Sequence, residues 1–96
     1  MSDFAVRHEV QGGKGRFFIT HDDGISELSY TITSPTLVIA DHTEVASGYE
    51  GQGVGLVLLE KLLTVAQKTG FKIIPLCPFV NAQRRKHPEW AEMFAV

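Results

Sequence analysis

Glu50-Gly51-Gln52-Gly53-Val54-Gly55 is the stretch on which the reading of this chain turns, because the pattern of apolar residues changes period across it. After it, Leu56, Leu59, Leu62, Leu63 and Ala66 recur at helical spacing, with Glu60, Lys61, Thr64 and Lys68 on the opposite stripe. The spacing predicts an amphipathic helix from about Gln52 to Thr69. Gly70 supplies its stop, and Lys68 complements the negative end of the helix. Phe71 to Leu76 (F-K-I-I-P-L) then reads as a short strand buried on both faces. Immediately before the glycines, Thr36 to Val45 reads as a strand, so strand, helix and strand form a βαβ unit. Such a unit crosses over right-handed to a parallel neighbour.

Further out, the N-terminal half carries β signals. Phe4 to Val10 precedes a Gly12-Gly13 break, and Arg16 to Thr20 is aromatic and β-branched. His21-Asp22-Asp23-Gly24 is a turn in which Asp-Gly would support a positive φ. Leu28, Tyr30 and Ile32 then alternate with Ser29, Thr31 and Thr33. Four strands joined by short turns make an antiparallel meander. Pro78 to Val96 predicts one or two short helices, with Pro88 in the first turn of the last and Trp90, Met93 and Phe94 on one face. The expected fold is mixed α/β in the α+β sense: a meander, a parallel βαβ unit and short C-terminal helices, all in one domain over residues 1–96.

Composition narrows the function classes. A 96-residue chain that is 44% hydrophobic and 21% charged is neither disordered nor long enough for two domains. Its net charge of −2 argues against a dedicated nucleic-acid binder. No apolar run approaches the ~20 residues of a membrane span, and the N-terminus lacks a signal-peptide pattern, so a cytoplasmic, membrane-free protein is expected. One cysteine excludes a disulfide framework, and the four histidines lack ligand spacing, so no metal site is expected.

The glycine loop carries the strongest chemical signal. Glycines let the backbone approach a ligand closely and leave amide N–H groups at a positive helix end, which suits phosphate or pyrophosphate. It is not a Walker loop, for no Gly-Lys-Ser/Thr follows, and it lacks the Rossmann spacing. The same residues would also serve as a plain strand-to-helix turn.

Pro75-Leu76-Cys77-Pro78 is the second signal. Prolines cannot donate to a ladder, so strands 4 and 5 are expected to splay there into a cleft. Cys77 would sit in that cleft before a helix whose N-terminus favours a thiolate, or else be a small core residue. If strands 4 and 5 are parallel neighbours, His42 is expected to face Cys77 across the cleft as its base. Arg84-Arg85-Lys86 is the one basic cluster; it would be either a solvated face or a holder of an additional phosphate beside the loop.

Taken together, H-T-E-V (42–45), G-Q-G-V-G (51–55), I-I-P-L-C-P-F-V (73–80) and R-K-H-P-E-W (85–90) resemble the small YjdJ-like branch of the GNAT N-acetyltransferase superfamily. The resemblance spans about Tyr30 to Phe94. It implies a minimal GNAT fold with strands 4 and 5 splayed, and acetyl-CoA or coenzyme A as the cofactor. It further implies Glu50, Gly51, Gln52, Gly53, Val54 and Gly55 as the pyrophosphate loop, with Thr43 and Val45 beside the pantetheine arm and the thioester. Cys77 becomes the catalytic candidate with His42, and Asn81 and Arg84 lie near the cofactor. Two departures stand out. Glu50 occupies a place usually held by Arg or Gln, at a cost of ~1 kcal/mol toward a diphosphate. Gln11-Gly12-Gly13-Lys14 replaces the two helices that ordinarily help form the acceptor pocket.

The resemblance implies acetyl transfer to a small amine, a protein or another nucleophile, by direct attack or through Cys77. The alternatives are a coenzyme-A-binding sensor or interaction module without catalysis, and a nucleic-acid accessory protein using Arg84, Arg85 and Lys86. The edge of strand 5 and the tail aromatics Trp90 and Phe94 are expected contact surfaces.

Overall fold

The computed structural model describes residues 4–96. Its strands are β1 (Arg7–Gln11), β2 (Lys14–His21), β3 (Gly24–Ser34), β4 (Leu37–Glu44) and β5 (Lys72–Ile74), forming one sheet in the order β1-β2-β3-β4-β5. The first four are antiparallel and β5 runs parallel to β4, connected through helix α1 (Val54–Thr69). Helix α2 (Pro78–Lys86) and a 3-10 helix (Pro88–Met93) follow.

Local chemistry explains each junction. Gly12 and Gly13, at φ 58° and 80°, close β1 onto β2 in a two-residue turn, so nothing else stands between those strands. The next turn differs from the sequence expectation. Gly24 is already paired with His21, the turn residues are Asp22 and Asp23, and neither these nor Gly24 has a positive φ. The ladder that puts Ser26, Leu28 and Tyr30 inward begins one residue earlier than the Asp-Gly signal suggested.

Both helices pack on one face of the sheet. Leu28, Tyr30, Val38 and Ala40 are buried there beneath Leu58, Leu59 and Leu62 of α1. The buried rows of α1 step by four: Val54, Leu58, Leu62, Ala66 and Gly55, Leu59, Leu63. Leu58 therefore belongs to the core, and Leu56, expected there, is only half-buried. Each fully buried leucine is worth about 1.5–3 kcal/mol against exposure. Gly70 ends the helix in the left-handed conformation at φ 90°, its N–H on the Ala66 carbonyl.

The other face is a ladder of charged and polar side chains. Arg16 bridges Glu9 (2.9 Å) and Glu27 (2.7 Å), and its guanidinium lies 4.1 Å from the Phe18 ring, burying that one aromatic.

Strand β5 is shorter than expected and stands at the sheet edge. Only Phe71 and Ile73 are buried, while Lys72 and Leu76 are exposed, because helices cover a single face. Its outer edge is met by the tail, where Phe94 bridges to Ile73 and the Ala95 N–H donates to the Ile73 carbonyl at 2.8 Å. Phe94 is thereby buried, and Trp90, half-buried, stacks on His87 at 4.0 Å; the expected free tail aromatics are mostly consumed.

The splay follows from the proline. Pairing of β4 with β5 ends at Ile39 and Ile74, just before Pro75. One more main-chain bond, from the Cys77 N–H to the Ala40 carbonyl (2.8 Å), starts α2. Beyond Ala40, β4 has no strand beside it on that edge.

Candidate functional site

The segment leading to the glycine loop is pinned from β3. Ser26 is wholly buried; its hydroxyl accepts the Ala46 N–H and lies 2.8 Å from His21 Nε2. The His21 ring in turn stacks on Tyr49 at 3.8 Å. Burial, followed by the Asp23 and Asp22 carboxylates, pushes the Tyr49 phenol up, so it keeps its proton at neutral pH. Ser26 and Tyr49 were not singled out in the sequence, and His21 only as a turn residue, whereas it ends β2. The one available signal was a serine standing where β3 alternation calls for an apolar residue.

Past this anchor, Gly51 (φ 80°) and Gly53 (φ 78°) hold left-handed conformations that only glycine adopts cheaply. The Val57 N–H donates to the Gly53 carbonyl at 3.0 Å, the first helical bond of α1. The amides of Val54, Gly55 and Leu56 precede that bond. No side chain caps them and no acid stands in the first turn, so the positive end of α1 is bare. Glu50, the residue expected to repel a diphosphate, turns its carboxylate back onto the Gly48 N–H at 2.9 Å. The Gln52 side-chain amide donates to the Gly48 carbonyl at 3.3 Å, bracing the same turn.

A cavity of about 380 Å³ opens on this loop. Its walls are Thr43 at the end of β4 and Val45 just past it, Tyr49 to Gly51 and Gly53 to Leu56 along the loop and first turn of α1, and Phe79 and Gln83 of α2. Contact between the helices is tight: a Cβ on Gly55 would approach the Phe79 ring to 3.0 Å. The third glycine of the loop is thus a packing requirement. A second concavity of about 280 Å³ lies on the polar sheet face between Glu9 and Ser29, with the Arg16–Glu9 ion pair in its lining.

Cys77 stands at the N-cap of α2, 2% exposed, with its Sγ 3.3 Å from Thr43 Oγ1. His42 is not opposite it. Thr43 pairs with Leu28 on the helix-covered face, whereas His42 pairs with Ser29 and points to the polar face. There it is 63% exposed, with Nε2 3.9 Å from Glu44. The cause is a β-bulge: Tyr30 pairs with Ala40 and Ser29 with His42, leaving Asp41 as the extra residue. Without that insertion, strict alternation from Val38 and Ala40 would carry His42 inward, as the sequence reading assumed.

Asn81 and Arg84 also fall elsewhere. They bond each other at 2.9 Å on α2, and the cavity wall belongs to Phe79 and Gln83. Positions 79 and 83 lie on one helix face by i, i+4 spacing, while 81 is about 200° round from 79. The remaining expected residues, Thr43, Val45, Glu50, Gly51, Gly53, Val54 and Gly55, all line the one cavity, with Gln52 bracing the loop beside it.

This geometry has counterparts. The sequence profile of the GCN5-related N-acetyl-transferases matches residues 16–93. The chain belongs to that family. No protein of curated function matches it. Among solved structures, this family member is similar to a GCN5-like candidate N-acetyltransferase from Staphylococcus aureus, determined by NMR in solution. The TM-score is 0.73 at 27% sequence identity, covering 99% of this chain and 91% of the other. The sheet, the crossover helix and the loop of this acetyltransferase-family chain are therefore a minimal version of the GNAT fold. Among the described residues, no helix is long and apolar enough to cross a membrane.

Proposed function

We propose that this protein is an acetyl-CoA-dependent acyltransferase of the small YjdJ-like branch, acting as one domain in the cytoplasm on an amine acceptor. The observation that carries the reading is the bare first turn of α1 opening into a cavity walled by the end of β4 and by α2.

The residues present suit coenzyme A. Left-handed Gly51 and Gly53, with the uncapped amides of Val54, Gly55 and Leu56, make a main-chain cradle for a diphosphate. Glu50 keeps its charge at the rim, but its carboxylate is held back on the Gly48 amide, which limits its repulsion of a diphosphate. Val45 and the Phe79 ring offer apolar walls to a pantetheine arm, and Gln83 a polar one. When bound, acetyl-CoA supplies an activated acyl thioester. The chain's part is to hold it, to exclude water with Phe79 and Val45, and to offer a main-chain N–H near the end of β4 to a carbonyl that gains negative charge.

Cys77 is covered by Thr43 and does not line the cavity, which favours direct attack by the acceptor amine. In that reading the Thr43 hydroxyl, 3.3 Å from the Cys77 Sγ behind it, is the polar group that the end of β4 presents at the cavity wall. A route through Cys77 draws on one observation, its N-cap position at the positive end of α2, and requires Thr43 to turn aside. His42 takes no part in either.

Release of free coenzyme A in the presence of an amine panel tests the assignment. Turnover is expected, with Cys77→Ala retaining at least a tenth of it (roughly 1.4 kcal/mol on the barrier) and no acetyl adduct on Cys77 by rapid-quench mass spectrometry. An adduct at Cys77 together with inactive Cys77→Ala establishes the covalent route instead. Saturable binding without turnover on any amine makes the protein a coenzyme-A-binding module.

A further inference from the structure

Strand β1 pairs only with β2, so its outer edge is free among the described residues, whereas the outer edge of β5 is met by Phe94 and Ala95. Free edges in natural sheets are ordinarily blunted by shortness, by charged side chains, lysine above all, by proline or by a bulge. The two charges of β1, Arg7 and Glu9, are of opposite sign and so can pair with those of another copy. Residues 4–11 contain no proline and no lysine, and the β1–β2 ladder runs from Arg7 to Gln11 without a bulge. All five residues of β1 are exposed, Val10 by 53%.

The two faces of β1 differ. Arg7 and Glu9 lie on the polar face, where one carboxylate oxygen of Glu9 accepts from Arg16 and the other has no partner among the described residues. His8 and Val10 lie on the helix-covered face, where the His8 ring stacks on Phe17 at 4.0 Å.

We propose that β1 pairs antiparallel with β1 of a second copy of this chain, about a two-fold axis at His8. In that register each Arg7 meets the second copy's Glu9 on the polar face, and each Val6 meets the second copy's Val10 on the other. Neighbouring registers fail: an axis at Glu9 sets Glu9 against Glu9, an axis at Arg7 sets Arg7 against Arg7, and an axis at Val10 makes no ion pair. The interface is self-complementary, as two-fold symmetry requires. β4 lies three strands away, roughly 14 Å from the seam, so both clefts stay open.

Sedimentation velocity from micromolar to millimolar protein is the test, with circular dichroism confirming that every variant is folded. The wild type shifts from monomer toward dimer as concentration rises. Arg7→Glu and Glu9→Arg each place like charges across the seam and weaken association roughly tenfold or more. Mixing the two single variants in equal amounts restores it, because their charges are complementary, and so does the double variant. A wild type that stays monomeric throughout overturns the proposal. So do single variants that associate as the wild type does, or a mixture that fails to recover.

Discussion

Two glycine turns in this molecule share one backbone property and come to opposite ends. Gly12 and Gly13 have positive φ, as do Gly51 and Gly53. At the first turn, strands follow on both sides, and the ladder takes up the main-chain groups; the Ile32 N–H even donates back to the Gly13 carbonyl at 2.8 Å. At the second, a helix follows, and among the described residues the amides of its first turn have no partner until Val57. Glycine supplies the conformation in both places. Whether a ligand site results depends on whether a strand or a helix comes next.

The largest expected effect tests that contrast directly. Gly13→Val and Gly53→Val each force an L-residue into the left-handed region and should cost about 1–2 kcal/mol of stability, read from urea unfolding. Acetyl-CoA affinity by calorimetry should fall at least tenfold for Gly53→Val, about 1.4 kcal/mol, and stay unchanged for Gly13→Val. Equal losses of affinity in both would end the comparison. A smaller effect is expected at Gly55, which has ordinary φ but no room. Gly55→Ala should push Phe79 outward and weaken acetyl-CoA binding several-fold, with Phe79→Leu in the same chain recovering part of the loss.

Glu50 separates sequence from geometry. Its carboxylate faces Gly48, so Glu50→Gln should alter acetyl-CoA affinity by less than about threefold, under ~0.7 kcal/mol. A large gain in affinity would show that the charge does reach the ligand.

The hairpin side should carry the smallest effect, through His8. Its Nε2 lies 2.6 Å from Tyr30 Oη. Partial desolvation of the ring face stacked on Phe17 holds the imidazole below its ordinary pKa near 6.5, although the residue as a whole is exposed. The folded state thus favours neutral His8. That contribution is whole above about pH 6.5 and is lost as pH falls through the lower folded value. Urea midpoints between pH 7.5 and 5 should fall in the wild type and fall less in His8→Gln.

Much of this was legible in advance wherever periodicity or a single residue's chemistry decides. The presence of α1, the Gly70 stop, the meander and the parallel crossover all belong to that class, whereas the buried row through Val54 and Leu58 was missed in favour of Leu56. The glycine loop, whose residues meet in one cavity, belongs to it too. What escaped depends on insertions and on contacts between distant segments. One bulged residue, Asp41, turned His42 away from Cys77 and left Thr43 in its place. The helical rotation on α2, about 200° from Phe79 to Asn81 and about 140° from Phe79 to Arg84, gave the wall to Phe79 and Gln83. The Ser26–His21–Tyr49 anchor joins three segments that no local pattern connects.

The most direct measurement is a titration with acetyl-CoA followed by the amide resonances of the whole chain. Saturable shifts are predicted at Gly51 to Leu56, at Thr43 to Val45 and at Phe79 and Gln83, with Gly12 and Gly13 silent. Shifts confined to the polar sheet face around Glu9 and Ser29, or no saturation at millimolar ligand, would contradict the account.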